Sequence, residues 1–321
     1  MKRATFIIAA FLFATAAHAA EDCTLKEYAE LPMTVRANGD LTIPMTLDGQ
    51  EAAMKLGLSD PYSFLRKSYA DARGFPTKPL ASVVQHIKLQ VHVGGESAET
   101  VATVPSFSIG HASGKDYEAV LFDKGDLDDA ANGEVALDLL SRFDVELDFA
   151  NMRLGLYAQD HCEGKVVYWA PSYAAIPFRT DFGLHPMFKM TLDGKTLIVA
   201  LSSDHGHGRM PMPAATRLFG IDETNASLQP LAADEEGRKL YRYPFKTLAI
   251  EGVTIYNPEI DLVAIDDKDE CRPVYSHIPA SGNFCLGGAD LNMGVQEMRQ
   301  LHLYFAFKEK MLYVTAADAH N

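Results

Sequence analysis

Met45-Thr46-Leu47-Asp48-Gly49 recurs without change as Met190-Thr191-Leu192-Asp193-Gly194. The flanks repeat as well. Upstream, Ile43-Pro44 follows a turn at Asn38-Gly39-Asp40, and its counterpart is a turn at Asp181-Phe182-Gly183 followed by Leu184 to Lys189. Downstream, Ala52-Ala53-Met54-Lys55-Leu56 matches Leu197-Ile198-Val199-Ala200-Leu201. An Asp-Gly pair between two apolar runs suits a tight hairpin, because both turn residues must take positive φ. Each copy therefore reads as strand, turn, strand. A repeat that keeps its surroundings decides architecture before any single motif does, and it predicts two related halves.

A second pair of segments closes each half. Gly133-Glu134-Val135-Ala136-Leu137-Asp138-Leu139-Leu140-Ser141-Arg142-Phe143 leads into Asp144 to Phe149 and then Arg153 to Tyr157. Leu286-Gly287-Gly288-Ala289-Asp290-Leu291 leads, after Val295 to Gln300, into Leu301 to Phe305 and Lys310 to Val314. Each reads as a small-residue turn, a short helix and a final hairpin. Between these landmarks, residues 83–93, 102–109, 240–255 and 260–265 alternate or run apolar at strand length. Short helices fit residues 63–73, 214–219 and 295–300, and the acidic stretch 123–132 reads as an exposed loop. Gly164 and Pro171 interrupt the pattern between the halves.

Residues outside the repeat bear on the compartment. Lys2 and Arg3 precede an apolar run from Ala4 to Ala17, and Ala17-His18-Ala19 puts small residues at the cleavage-determining positions. This predicts a secretory signal peptide over residues 1–19, shorter than the roughly 20 apolar residues of a membrane span. The expected location is periplasmic or secreted, with no membrane anchor after processing. Of 321 residues, about 300 would remain, more than one typical domain of ~100–150 residues holds. The expected division is residues 20–165 and 166–321. The formal net charge is −14, and removing Lys2 and Arg3 leaves −16, which argues against nucleic acid as a partner. The four cysteines of an exported chain predict disulfides, and position favours Cys23–Cys162 and Cys271–Cys285 over the other pairings. No CxxC occurs, so no zinc site is expected.

The repeated hairpins and the segment Val135 to Phe149, weakly echoed at Leu286 to Leu291, resemble the retropepsin-like aspartyl proteases in their tandem, exported bacterial form. The helices expected after each opening hairpin, at Ser63-Phe64-Leu65 and Ala214 to Gly220, fit the same pattern. The resemblance implies an all-β chain with short helices, two β-barrel domains packed about a pseudo-twofold axis. It implies that each half of an active enzyme gives one aspartate from an Asp-Thr-Gly-Ala turn. The pair shares one proton, one carboxylate activating water while the other polarises the carbonyl, and the hydroxyl after each aspartate helps lock the turns together.

Both turns depart from that pattern. Spacing from Ser63-Phe64-Leu65 puts Gly57 at the first aspartate position, in Gly57-Leu58-Ser59-Asp60. Spacing from the hairpin glycine puts Ser202 at the second, in Ser202-Ser203-Asp204-His205. Matching by motif instead makes Asp204-His205-Gly206-His207 the second turn, at the expense of two inserted residues. Asp60 and Asp204 are fallback acids, but Asp60 lies eleven residues after Gly49 and Asp204 ten after Gly194, and in extended chain a one-residue offset turns a side chain to the other face. Pro61 restricts Asp60 as well. His205 and His207 beside Asp204 suggest a metal only weakly, and Ser202 and Ser203 lack a Gly-x-Ser-x-Gly elbow. Trp169, the single tryptophan, is expected to pack the linker. The expectation is a pseudo-protease without cofactor or metal, holding an extended peptide or protein segment between its halves near Ser59, Asp60, Ser203, Asp204 and His205. The alternative is an active endopeptidase with a displaced Asp60/Asp204 pair.

Overall fold

The computed structural model describes residues 23–36, 39–83, 92–93, 96–122, 131–180, 185–234, 237–265 and 289–318. The expected signal peptide and the Cys271–Cys285 pair lie outside these residues. The fold is mostly β with short helices. The two identical pentapeptides make the expected turns: Asp48 and Gly49 take φ of 49° and 73°, and Asp193 and Gly194 take 46° and 77°. Glycine is needed at the second position of each, since a side chain there meets strain.

In the first half the strands Leu41–Leu47 and Gln50–Leu56 form the repeat hairpin. Gln50–Leu56 pairs in parallel with Gly133–Val135, which pairs with Phe64–Arg66, which in turn runs parallel to Ala112–Phe122. Ala112–Phe122 pairs with Thr100–Ile109, and Thr100–Ile109 returns to Leu41–Leu47, so the ring of strands closes into a small barrel. The barrel is filled by fully buried side chains such as Leu41, Ile43, Leu47, Leu56 and Ile109.

The second half repeats the order. Pro186–Leu192 pairs with Lys195–Leu201, then Leu291–Met293, then Gly208–Pro211, then Ile260–Val263. Thr247–Ile250 pairs on the other side of Pro186–Leu192, where Thr100–Ile109 sits in the first half. The apolar run expected as one strand over 240–255 is three pieces, Leu240–Arg242, Thr247–Ile250 and Val253–Tyr256. Pro244 interrupts the first gap, and a turn at Glu251 and Gly252, with φ of 23° and 95°, makes the second.

A third sheet joins the halves. Its six strands run Glu27–Pro32, Arg153–Tyr157, Asp144–Asp148, Leu301–Ala306, Met311–Ala316, Ala174–Pro177, so each half contributes its closing hairpin and one flanking strand. Asp144–Asp148 and Leu301–Ala306 pair antiparallel at the centre, with Glu146 opposite Tyr304, Val145 opposite Phe305 and Leu147 opposite Leu303. That symmetric register places the pseudo-twofold axis beside Glu146 and Tyr304. Cys23 and Cys162 are bonded and tie the edge of this sheet to the segment after its second strand. Trp169 is buried there as expected for a linker residue, its ring stacked 4.1 Å from His302 and its Nε1–H donating to Thr315 Oγ1 at 3.0 Å. Among the described residues no helix is long and apolar enough to cross a membrane.

Candidate functional site

The turn that follows each repeat hairpin sits against the other half. Gly57 N–H donates to the Val135 carbonyl at 2.8 Å, and Ser202 N–H donates to the Met293 carbonyl at 2.9 Å. These matching bonds make Gly57 and Ser202 equivalent positions at the two turn tips. The spacing from each to the next strand agrees, because Phe64 pairs with Glu134 where Arg209 pairs with Asn292. The symmetry therefore makes Ser59 the partner of Asp204 in the repeat, and Asp60 the partner of His205.

The closing helix of the first half braces its tip. Asp138 accepts from Ser63 N–H at 3.0 Å, Ser63 Oγ–H at 2.6 Å and Leu139 N–H at 2.9 Å, and Ser63 Oγ accepts from Ala136 N–H at 2.8 Å. Asp138 thus acts as a structural acceptor. Further support crosses between strands: Asn132 Oδ1 accepts from Ala53 N–H at 2.9 Å, and Asp290 Oδ2 accepts from Ile198 N–H at 2.8 Å, the same bond in each half. Asn132, expected in an exposed loop, is a bridge instead.

Contacts between the tips are not symmetric. Ser203 Oγ accepts from Leu58 N–H at 2.9 Å, but Leu58 has no hydroxyl with which to return the bond. Ser59 Oγ–H donates to Asp204 Oδ2 at 2.5 Å, and the Ser202 and Ser59 hydroxyls lie 3.5 Å apart. Lys55, buried on the Gln50–Leu56 strand, reaches across to Asp204 Oδ1 at 2.7 Å. It also lies 3.5 Å from Glu134 and 3.9 Å from Asp40.

Glu134 occupies an unexpected place. A Cβ built on Gly57 would lie 2.1 Å from Glu134 Oε1. The carboxyl of the neighbouring strand therefore fills the space that a side chain at the turn tip would need. Glu134 is 1% exposed, and its Oε1 has no hydrogen-bond partner. Asp60, Glu134 and Asp204 each present a carboxylate oxygen within 4.8 Å of the other two. The tips thus bring Asp60 and Asp204 together, although a one-residue offset in extended chain predicts opposite facing. Residues 58–59, 61–62, 203–204 and 206–207 bend, so the alternation of a strand does not apply.

The electrostatics sort the acids. Burial, reinforced by the neighbouring Asp204 charge, raises the Asp60 carboxyl. Burial, reinforced by Asp60, raises Glu134 well above the usual carboxylate range despite Lys55. Burial works to raise Asp204 too, but the Lys55 ammonium and the Ser59 hydroxyl hold it below its ordinary value. Burial likewise opposes the Lys55 charge, and Asp204 and Glu134 overcome it, so Lys55 stays protonated. Asp204 is the most open member, its side chain 26% exposed.

His205 adjoins this group, where the Asp204 charge acts on it, without joining the three carboxylates. Its carbonyl accepts from Val295 N–H at 3.0 Å, and burial together with Arg209 lowers its imidazole pKa. His207 Nδ1 lies 3.5 Å from Glu259. Among the described residues, the three-carboxylate cluster is the group with the spacing of metal ligands, and neither histidine belongs to it. Sequence reading missed Lys55, Glu134 and Asp40. A signal existed for Lys55: it is the one charge in the run Ala52 to Leu56, and its repeat partner, Ala200, is apolar.

No family model and no curated protein matches this chain. Among solved structures, basic 7S globulin from soybean is similar over 93% of this chain and 100% of its own, at 8% identity and a TM-score of 0.51. Conglutin gamma from lupine seeds is similar over 91% of this chain and 95% of its own, at 10% identity and the same TM-score of 0.51. A retropepsin-like aspartic protease from Rickettsia conorii is 19% identical and covers 42% of this chain and 94% of its own, with a TM-score of 0.30. The two seed globulins share the overall fold across nearly the whole chain, and at such identity the likeness extends to the fold alone.

Proposed function

We propose that this is an exported, non-peptidolytic protein of aspartyl-protease-like architecture that holds an extended peptide or protein segment along the seam between its turn tips. The observation that carries the reading is the content of the tips. Gly57 and Ser202 stand at the equivalent positions, and neither ionises. The space beyond Gly57 is taken by Glu134, and Asp204 is engaged by Lys55 and Ser59. Peptide hydrolysis of the shared-proton kind needs two carboxyls disposed symmetrically about one water. Here the acids come from unequal positions of the repeat, and a lysine ammonium neutralises one of them. A two-barrel scaffold can still bind extended chain through main-chain pairing at sheet edges.

A second reading, hydrolysis by the displaced acids, draws on the approach of Asp60, Glu134 and Asp204 within 4.8 Å and on the opposite displacement of the Asp60 and Asp204 pKa values. One experiment separates the two. The purified protein is incubated with a mixed peptide library from acid to neutral pH, and both cleavage and retention are read by mass spectrometry. Retention without cleavage is expected. Cleavage that Asp204→Asn or Asp60→Asn abolishes would replace the binding reading with the hydrolytic one, and neither retention nor cleavage would remove both.

A further inference from the structure

The acid cluster at the turn tips carries more negative charge than its one lysine balances. Asp40, Glu134 and Asp204 all lie within 4.0 Å of the Lys55 ammonium, and Asp60 joins Glu134 and Asp204. Four carboxylates against one ammonium leave three charges uncompensated when all are ionised. Crowding of that kind in a buried place is relieved by protons or by a cation.

A second observation points to the cation. Glu134 is 1% exposed, and its Oε1 is a buried acceptor without a donor. It is aimed at the tip: a Cβ on Gly57 would nearly coincide with it. An unmatched buried acceptor costs about 1–3 kcal/mol, more when charged, so its persistence calls for a partner. Lys55 does not supply one, since it approaches Glu134 through Oε2 at 3.5 Å, and the Asp60 carboxyl that meets Glu134 brings a like charge.

We infer that Asp60, Glu134 and Asp204 form a binding site for a hard divalent cation, with Ca²⁺ as the ion of best fit. The donors are all carboxylate oxygens, which suit hard ions and not zinc or copper. The three donor oxygens lie within 4.8 Å of one another, close enough for one ion to bridge, and Ca²⁺, with ~2.4 Å bonds and a flexible coordination shell, tolerates a preset arrangement better than Mg²⁺, which demands ~2.1 Å and a stricter octahedron. Lys55 keeps its bond to Asp204 Oδ1, and the cation sits on the Glu134 Oε1 side. Partly exposed Asp204 gives the ion its route in and leaves room for water ligands. The inference is independent of whether a peptide binds along the seam.

The test is isothermal titration of the full mature chain, stripped with chelator, using CaCl₂ with a parallel MgCl₂ arm, together with thermal melting. One Ca²⁺ site is expected, with weaker Mg²⁺ binding. Ca²⁺ at ten times its Kd should raise the Tm by roughly 2–4 °C. Glu134→Gln and Asp60→Asn should each weaken Ca²⁺ binding at least tenfold while the chain stays folded by circular dichroism. Absence of heat and of any Tm shift in the wild-type chain at 10-fold millimolar excess would overturn the inference, as would undiminished binding in both variants. The wild-type titration decides by itself if either variant fails to fold.

Discussion

Replacing Gly57 with alanine tests how tightly the tip and Glu134 are interlocked. The backbone at Gly57 lies outside the left-handed region, so a side chain there is not opposed by φ, and any effect comes from contact. The added Cβ would meet Glu134 Oε1 at 2.1 Å, Cδ at 2.7 Å and Cγ at 2.9 Å, all below the range that real contacts reach. Glu134 must move, but its side chain is enclosed and sits 3.5 Å from Lys55. Forcing a methyl into such packing costs roughly 1–3 kcal/mol. The double variant Gly57→Ala/Glu134→Ala removes the obstacle, and the cluster sheds one acid it does not need for balance. Urea unfolding with the disulfide intact should therefore show Gly57→Ala destabilised by about 1–3 kcal/mol. The double variant should recover at least about 1 kcal/mol of the summed single losses as a coupling energy. Additive effects, or a Gly57→Ala chain as stable as its parent, would refute the interlock.

Three other outcomes are expected. Asp138→Ala strands the N–H groups of Ser63 and Leu139 and the Ser63 hydroxyl, and should cost roughly 2–3 kcal/mol in urea unfolding. Reducing Cys23–Cys162, or replacing both cysteines with serine, releases a closure of 139 residues and should cost about 2–5 kcal/mol under the same assay. Glu297 is 2% exposed with Oε2 unpartnered, and burial, aided by Asp261, raises its carboxyl to about 7 against the hydrogen bonds from Gly208 and Gly294. The folded chain then holds this proton more tightly than the unfolded one, so the group's contribution is present at pH 4 and is lost as pH rises to 7. Glu297→Gln should flatten that decline and leave the protein more stable than its parent at pH 8, by roughly 2–3 kcal/mol.

Much of the frame is readable because hairpins and closing helices are local. The Met-Thr-Leu-Asp-Gly repeat states its turn in two residues, and the helix at Leu137–Leu140 follows from apolar spacing after a small-residue turn. The Cys23–Cys162 bond follows from the cysteines' places at the two ends of one half. Equivalence of Gly57 and Ser202 is legible by counting from the glycine of each hairpin. The acid cluster is not, because it is made by chain segments that bend and by a neighbouring strand. Glu134 lies well over fifty residues from either tip and reaches Gly57 only through the parallel pairing of Gly133–Val135 with Gln50–Leu56. Alternation along a strand says nothing about such a neighbour. Lys55 was visible as an odd charge in the run Ala52 to Leu56, yet its partner across the seam, Asp204, is a feature of the other half.

The asymmetry of the tips has a physical logic of its own. A symmetric lock would have each turn's hydroxyl take an N–H from the other turn. Ser203 does this toward Leu58, but Leu58 cannot reciprocate, which leaves one side of the joint with a single hydrogen bond worth about 1 kcal/mol. The missing half is replaced by charge. Lys55 and Ser59, both from the first half, converge on the two oxygens of Asp204 in the second. Bonds to an ionised group are roughly twice as strong as neutral ones, so this pair exceeds the bond it replaces. It also fixes what Asp204 can do. A carboxylate held ionised by an ammonium is a poor member of a proton-sharing pair, because protonating it breaks the contact that joins the halves. Retaining a protease-like dyad and retaining this joint are therefore competing uses of one side chain, and Lys55 meets that side chain at 2.7 Å.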